Sequence, residues 1–259
     1  MPIEAVLLDL DDTLLVEVAS ADEAIYRACL LAVRRYPVHP DRLHESVRRV
    51  ARREWYALPE HPYAEAIAIS SWEALWARFE GDDPALVALR AQVPAYRRAA
   101  WRGALGEHGI VDPHLADEMA RTFVLTRQGL MTVYEDVPGT LAALRPRFRL
   151  GIVTNGLACL QRDKLRASGL EGQVDAFVAA GDIGQAKPHP AIFRHAMAAL
   201  DVLPADTVMV GNSLHSDIAG GRRAGLRTVW LNRQCAPLPD DSMPNAEIES
   251  LDELPCLLG

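Results

Sequence analysis

The stretch AVLLDLDDT, residues 5–13, decides how the whole chain is read. Its first six residues form a short apolar run that ends among acidic side chains. A run of that length suits a strand buried on both faces, as in a parallel sheet covered by helices. Runs of the same character recur far downstream: FRLGIVT (148–154), DAFVAA (175–180), TVMVG (207–211) and RTVWL (227–231). Helical stretches lie between them, among them LACLQRDKLRAS (157–168) and AIFRHAMAAL (191–200). Strands alternating with helices predict an α/β fold built on a parallel sheet flanked by helices. The simplest assembly places residues 5–10 in that sheet, so that 1–15 and 131–259 form one core and 16–130 is an inserted helical domain.

The insert reads as helical almost throughout. Ser20 and Glu23 have capping-box spacing, and Ile25, Cys29, Ala32, Val33 and Tyr36 follow at helical intervals until Pro37. Further helices are predicted near 41–57, 64–80 and 94–106. Asp112 followed by Pro113 marks another helix start; Leu115, Met119 and Phe123 line one face of it, and Gly129 ends it. Gly129 and Pro138-Gly139 suit a domain boundary. The aromatics Trp55, Tyr56, Trp72, Trp76, Phe79, Tyr96 and Trp101 read as core, and RRVARREW (48–55) as a solvated helix face.

Composition narrows the functional classes. The chain has 259 residues, 49% of them apolar, enough for a large core or two smaller ones. With 27 basic and 35 acidic residues its formal charge is -8, so nucleic acid is not the expected partner. The four cysteines (29, 159, 235 and 256) form no CxxC pair and read as reduced, mostly buried thiols of a cytoplasmic protein. The N-terminal residues do not resemble a signal peptide, and no apolar stretch approaches the roughly 18 residues of a membrane span. A small-molecule partner, no membrane, and a monomer or homodimer are expected.

In an open α/β sheet, ligands bind beyond the carboxyl ends of the strands. The first predicted strand ends in Asp9-Leu10-Asp11-Asp12-Thr13, the second in Thr154-Asn155-Gly156 and the fourth in Gly211-Asn212-Ser213, with Asp217 just beyond; Lys187 follows the third. Asp9 and Asp11 are two apart and point the same way in an extended segment. Paired carboxylates repel, and a hard divalent cation such as magnesium relieves that cost. Phosphoryl transfer needs an in-line nucleophile, an acid for the leaving oxygen and cations on the phosphoryl oxygens. Asp9, Asp11, a metal and Lys187 suit those roles, with Thr154 as a hydrogen-bond donor. Asp12 reads as a cap or loop residue, Asp182 as a plain loop residue, and His189 and His215 as exposed loop residues.

These four segments resemble, in order, the four motifs of haloacid dehalogenase-like hydrolases: LLDLDDTLL the DxDxT motif, IVTNG the second, Lys187 in QAKPHPAIF the third, and VMVGNSLHSDIAGGRRAGL the fourth. The stretch TNGLACLQRDKL is similar to the subgroup of N-acylneuraminate-9-phosphatase and certain pyrimidine nucleotidases. The resemblance implies a Rossmann-like core with an all-helical cap inserted after the first motif. It implies magnesium-dependent hydrolysis of a small phosphorylated metabolite, in which Asp9 forms an aspartyl-phosphate and Asp11 is the general acid/base. Thr154, Asn155 and Lys187 become the substrate-binding candidates, with Thr154 and Lys187 also counted as catalytic. Asp9, Asp11 through its backbone carbonyl, Asn212 and Asp217 become the metal-binding candidates. Asn212 departs from the family pattern, which has an aspartate there. Two alternatives stay open: hydrolytic dehalogenation of a 2-halo acid, which needs neither magnesium nor a second aspartate, and a catalytically decayed ligand-binding member.

Overall fold

Ala5, Val6, Leu7 and Leu8 have no solvent exposure, because β1 (Ala5–Leu8) lies inside a sheet covered on both faces. The computed structural model describes residues 2–239 and 244–259. The other strands are β2 (Arg149–Thr154), β3 (Ala176–Ala179), β4 (Thr207–Gly211), β5 (Arg227–Leu231) and β6 (Ala246–Ile248). The sheet runs β3-β2-β1-β4-β5-β6, and all its pairings are parallel. Strand order reverses between β1 and β4, which opens a crevice at their carboxyl ends. Leu8 lies opposite Ile152 and Val210 at once, so β1, β2 and β4 end within two residues of one another's level. The Asp9 N–H still bonds the Val210 carbonyl at 3.0 Å, extending the ladder one residue beyond β1.

The chain divides into two compact units, one made of the described residues up to Val16 with Thr132–Gly259, the other Glu17–Met131. The first holds the sheet and the helices α7 (Val137–Leu144), α8 (Ala158–Ala167), α9 (Ala180–Ile183), α10 (Pro190–Leu200), α11 (Ala219–Arg223) and α12 (Leu254–Leu257). One apolar cluster joins Val6, Leu8, Val137, Leu141, Ile152, Val210 and Leu254. Two elements differ from expectation. Pro138-Gly139 falls inside α7, since proline is tolerated in a first helical turn, where its missing N–H is not needed. β6 is too short to show as an apolar run; Asn245 anchors its start, its carboxamide oxygen accepting from the Thr228 N–H at 2.9 Å.

The second unit holds α1 (Val18–Val33), α2 (Pro40–Tyr56), α3 (His61–Ala66), α4 (Ser71–Ala74), α5 (Pro84–Gly106) and α6 (Pro113–Gly129). Asp112 caps α6 as expected, its carboxylate accepting from the Leu115 N–H at 2.9 Å. The Ser20–Glu23 capping box does not form. α1 starts three residues earlier, with Glu17 at the N-cap position and Ser20 buried within the helix, and the Glu17 carboxylate is paired with Arg127 at 2.7 Å. The helix expected over 64–80 is broken, with Ala68 and Phe79 at left-handed φ of 57° and 54°. Ser70 and Glu73 form a capping box there and start α4. α5 runs through Pro94 and forfeits one backbone bond, while Leu89, Val93, Tyr96, Ala100 and Trp101 hold it by burial.

Burial also corrects the side-chain expectations. Tyr56 is exposed, whereas Trp55, Phe79, Tyr96 and Trp101 are core. Cys29 is buried, and desolvation pushes its thiol up to about 12; Cys159 is half-buried, and Cys235 and Cys256 are exposed. Among the described residues, no helix is long and apolar enough to cross a membrane.

Candidate active site

The site begins with one ammonium. Lys187 is buried, and its Nζ donates to Asp9 Oδ1 at 2.5 Å, to the Val153 carbonyl at 2.8 Å and lies 2.8 Å from Asp217 Oδ1. The ammonium thus gives two hydrogen bonds to oxygen and has the Asp217 carboxylate as a close ion-pair partner. Burial alone lowers a lysine pKa, but the facing charges of Asp217 and Asp9 outweigh it and raise this one. Asn155 places the lysine: its carboxamide oxygen accepts from the Lys187 N–H at 2.8 Å and its amide donates to the Lys187 carbonyl at 3.3 Å. That amide, a substrate-binding candidate from sequence, is therefore occupied as a brace of the lysine loop.

Asp9 is held from its other side. The Thr13 hydroxyl donates to Asp9 Oδ2 at 2.8 Å and accepts from the Asn212 N–H at 3.2 Å. Thr13 can reach back because Asp12 adopts φ 60°, a left-handed turn that aspartate tolerates, and donates its N–H to the Leu15 carbonyl at 2.7 Å. Asn212 is fixed through its backbone, its carbonyl accepting from Trp230 Nε1 at 2.9 Å, and its side-chain oxygen lies 3.4 Å from the Thr13 hydroxyl.

Asp217 stands on the turn Leu214–Ile218, where its Oδ2 accepts from the Ser213 N–H at 2.9 Å. Its carboxyl pKa is raised: burial and the neighbouring Asp9 charge disfavour ionisation more than Lys187 favours it. Room for this carboxylate depends on Gly211, where an added Cβ would fall 2.2 Å from Asp217 Oδ2. Gly211→Ala is therefore expected to lose about 1–3 kcal/mol of stability through overpacking. Urea denaturation checks this, and an unchanged midpoint would mean that Asp217 is free to move aside.

Asp11 belongs to a second, adjoining set. Its Oδ2 lies 2.9 Å from Lys164 Nζ and accepts from Gln161 Nε2 at 3.2 Å, and Gln161 Oε1 is 3.4 Å from the Thr154 hydroxyl. Lys187 thus joins Asp9 to Asp217 and Thr13 joins Asp9 to Asn212, while Asp11 and Thr154 are joined through α8. Sequence reading passed over Thr13, Gln161 and Lys164. A signal existed for the last two: at i and i+3 they share one helix face, and a buried face carrying amide and ammonium groups needs polar partners. Asp182, read as a plain loop residue, instead caps α9 by accepting from the Ala179 N–H at 3.0 Å. His189 and His215 are both exposed, but His189 caps α10 and His215 lies in the helical turn that carries Asp217.

The described residues contain no cluster of three or more His, Cys, Asp or Glu side chains arranged to hold a metal. The candidate donors are of another make-up: two carboxylates, Asp9 and Asp217, with the Asn212 amide oxygen and the Asp11 backbone carbonyl. They are all oxygen, and the two buried carboxylates carry one negative charge more than Lys187 neutralises. Both properties fit a hard divalent cation.

The family model for haloacid dehalogenase-like hydrolase matches residues 3–225. Phosphoserine phosphatase of Thermus thermophilus is 36% identical over 249 residues, 96% of this chain and 96% of that protein. N-acylneuraminate-9-phosphatase of Rattus norvegicus is 40% identical over 166 residues, 62% of this chain and 67% of that one. A crystal structure of 2-haloacid dehalogenase from Pseudomonas syringae pv. Tomato DC3000 aligns with a TM-score of 0.60 and 30% identity, covering 99% of this chain and 98% of that one. With its four motifs brought to the carboxyl edge of one parallel sheet, the chain belongs to the haloacid dehalogenase-like hydrolases.

Proposed function

We propose that the protein hydrolyses a small phosphate monoester in two steps at Asp9. In the first step an Asp9 carboxylate oxygen attacks phosphorus and the bond to the leaving oxygen breaks. Asp11 gives its proton to that oxygen, leaving an aspartyl-phosphate. In the second step Asp11 takes a proton from water, the water attacks phosphorus, and Asp9 is released. The Lys187 ammonium, on Asp9 Oδ1, stands where phosphoryl charge develops, and Thr154 supplies a hydroxyl at the end of β2. The observation that carries the reading is the pairing of the two N-terminal carboxylates with separate ammonium groups, Asp9 with Lys187 and Asp11 with Lys164. A phosphatase needs the second carboxylate and a dehalogenase does not.

Magnesium held by Asp9, the Asp11 carbonyl, Asn212 and Asp217 would supply charge neutralisation for the phosphoryl oxygens. Asn212 contributes an uncharged oxygen, which predicts weaker affinity than an aspartate there would give. Activity on a panel of sugar phosphates, nucleotides and phosphorylated acids is expected to fall by about 10²-fold or more on chelation and to return with magnesium. A panel with no turnover, with or without the ion, would sink the reading. Halide release from a 2-halo acid without added metal, surviving Asp11→Asn, would put dehalogenation in its place; likeness to a solved 2-haloacid dehalogenase keeps that reading in play. The two relatives named above as phosphatases support a small phosphorylated metabolite as partner. We read Glu17–Met131 as the cap that selects it, and the cysteines, none of them in a disulfide, as those of a cytoplasmic enzyme.

A further inference from the structure

Two fully buried polar side chains of α8, Gln161 and Lys164, converge on one carboxylate oxygen, Asp11 Oδ2. An ammonium with no solvent contact is costly to the fold unless an opposite charge meets it. Here the charge it meets belongs to a side chain that still keeps 24% of its surface open. The α8 face therefore grips one oxygen of Asp11 from inside the protein. Gln161 extends the grip to the Thr154 hydroxyl, at the end of β2. A group that hands over a proton in the transition state must sit within hydrogen-bond reach of the receiving oxygen. Displacement by about 1 Å can cost roughly 10²-fold in rate.

We propose that Lys164, seconded by Gln161, is a positioning residue that holds Asp11 Oδ2 so that the carboxyl group meets the leaving oxygen. The inference rests on the phosphatase reading above. In the first step the Asp9–phosphorus bond forms and the phosphorus–leaving oxygen bond breaks. The proton on Asp11 passes to the leaving oxygen, and the carboxylate so produced is met by the Lys164 ammonium, 2.9 Å from Oδ2. Lys164 acts through Asp11 and gives up no proton in the step.

The test uses the full chain with magnesium and two esters that differ in their need for a proton. One is dinitrophenyl phosphate, whose leaving group departs as a stable anion. The other is the alkyl phosphate that the wild type turns over best. The quantity compared is kcat/KM, which covers only the steps through phosphoryl transfer to Asp9. Lys164→Met is expected to lower it by about 10²-fold for the alkyl ester and by less than about threefold for the dinitrophenyl ester. Gln161→Leu should show the same asymmetry at about tenfold. Adding Lys164→Met to Asp11→Asn should cost nothing further, since the grip then has no acid to place. Equal losses on the two esters, or a further loss in the double variant, would overturn the proposal. If Lys164→Met shows no cooperative melting, Gln161→Leu decides by the same asymmetry. A wild type that hydrolyses neither ester refutes the phosphatase reading itself, an outcome distinct from symmetric losses in the variants.

Discussion

Asp9→Asn is expected to lower phosphatase kcat/KM by about 10³-fold or more while leaving the chain folded. The amide has the shape of the carboxylate but no lone-pair anion to attack phosphorus. The surrounding contacts limit the structural damage. Lys187 only donates, so the amide oxygen must turn toward it, as Oδ1 does now. The amide nitrogen then faces the Thr13 hydroxyl, which loses its acceptor while keeping the bond from the Asn212 N–H. One lost hydrogen bond of this kind costs about 1–3 kcal/mol. Acid quenching during turnover gives the direct measurement. The wild type should carry one covalently bound phosphoryl group and the variant none. Turnover by Asp9→Asn near the wild-type rate would remove Asp9 from the chemistry and leave it as the counterion of Lys187.

The largest stability effect is expected in the helical unit, at Arg127. Its side chain is fully buried in α6, with Nη2 2.7 Å from Glu17 Oε2 and the guanidinium carbon 5.1 Å from the Trp76 ring centre. Glu17 immediately precedes α1 and Arg127 lies in the last turn of α6, so the pair ties together the two ends of the helical unit. Arg127→Met leaves the buried Glu17 carboxylate without its guanidinium, which costs about 3–5 kcal/mol. Replacing both partners, as Glu17→Gln with Arg127→Met, should recover much of that loss, because the stranded charge is gone. Denaturant unfolding must be read with two transitions allowed, since the chain contains two compact units. A double variant no more stable than Arg127→Met would mean that the loss comes from packing around Trp76.

The residues of the sheet were legible because burial on both faces leaves a local mark. AVLLDL, FRLGIVT, DAFVAA, TVMVG and RTVWL each contain a strand, with ends trimmed by one or two residues at most. β6 left no such mark, being three residues at the edge of the sheet. The Asp112-Pro113 start of α6 was legible, whereas the same signal at Asp83-Pro84 was passed over, and the helix expected over 94–106 begins at Pro84. Ser20 and Glu23 have the right spacing for a cap, yet α1 begins ahead of them at Val18, next to the Glu17 that pairs with Arg127.

The same division runs through the site. By itself the sequence determined which residues carry the chemistry, since each motif is a few adjacent residues at the end of an apolar run: Asp9 and Asp11, Thr154, Lys187, and Asn212 with Asp217. Only the tertiary structure decided which of them pair. Parallel register sets Leu8 level with Ile152 and Val210, and so lets Lys187 lie between Asp9 and Asp217. The fold alone also turns one face of α8 inward, burying Lys164 and Gln161 on Asp11. A local pattern records how deeply a segment is buried. The partner that a buried charge will find is a property of chain segments more than a hundred residues apart, brought together only by the sheet.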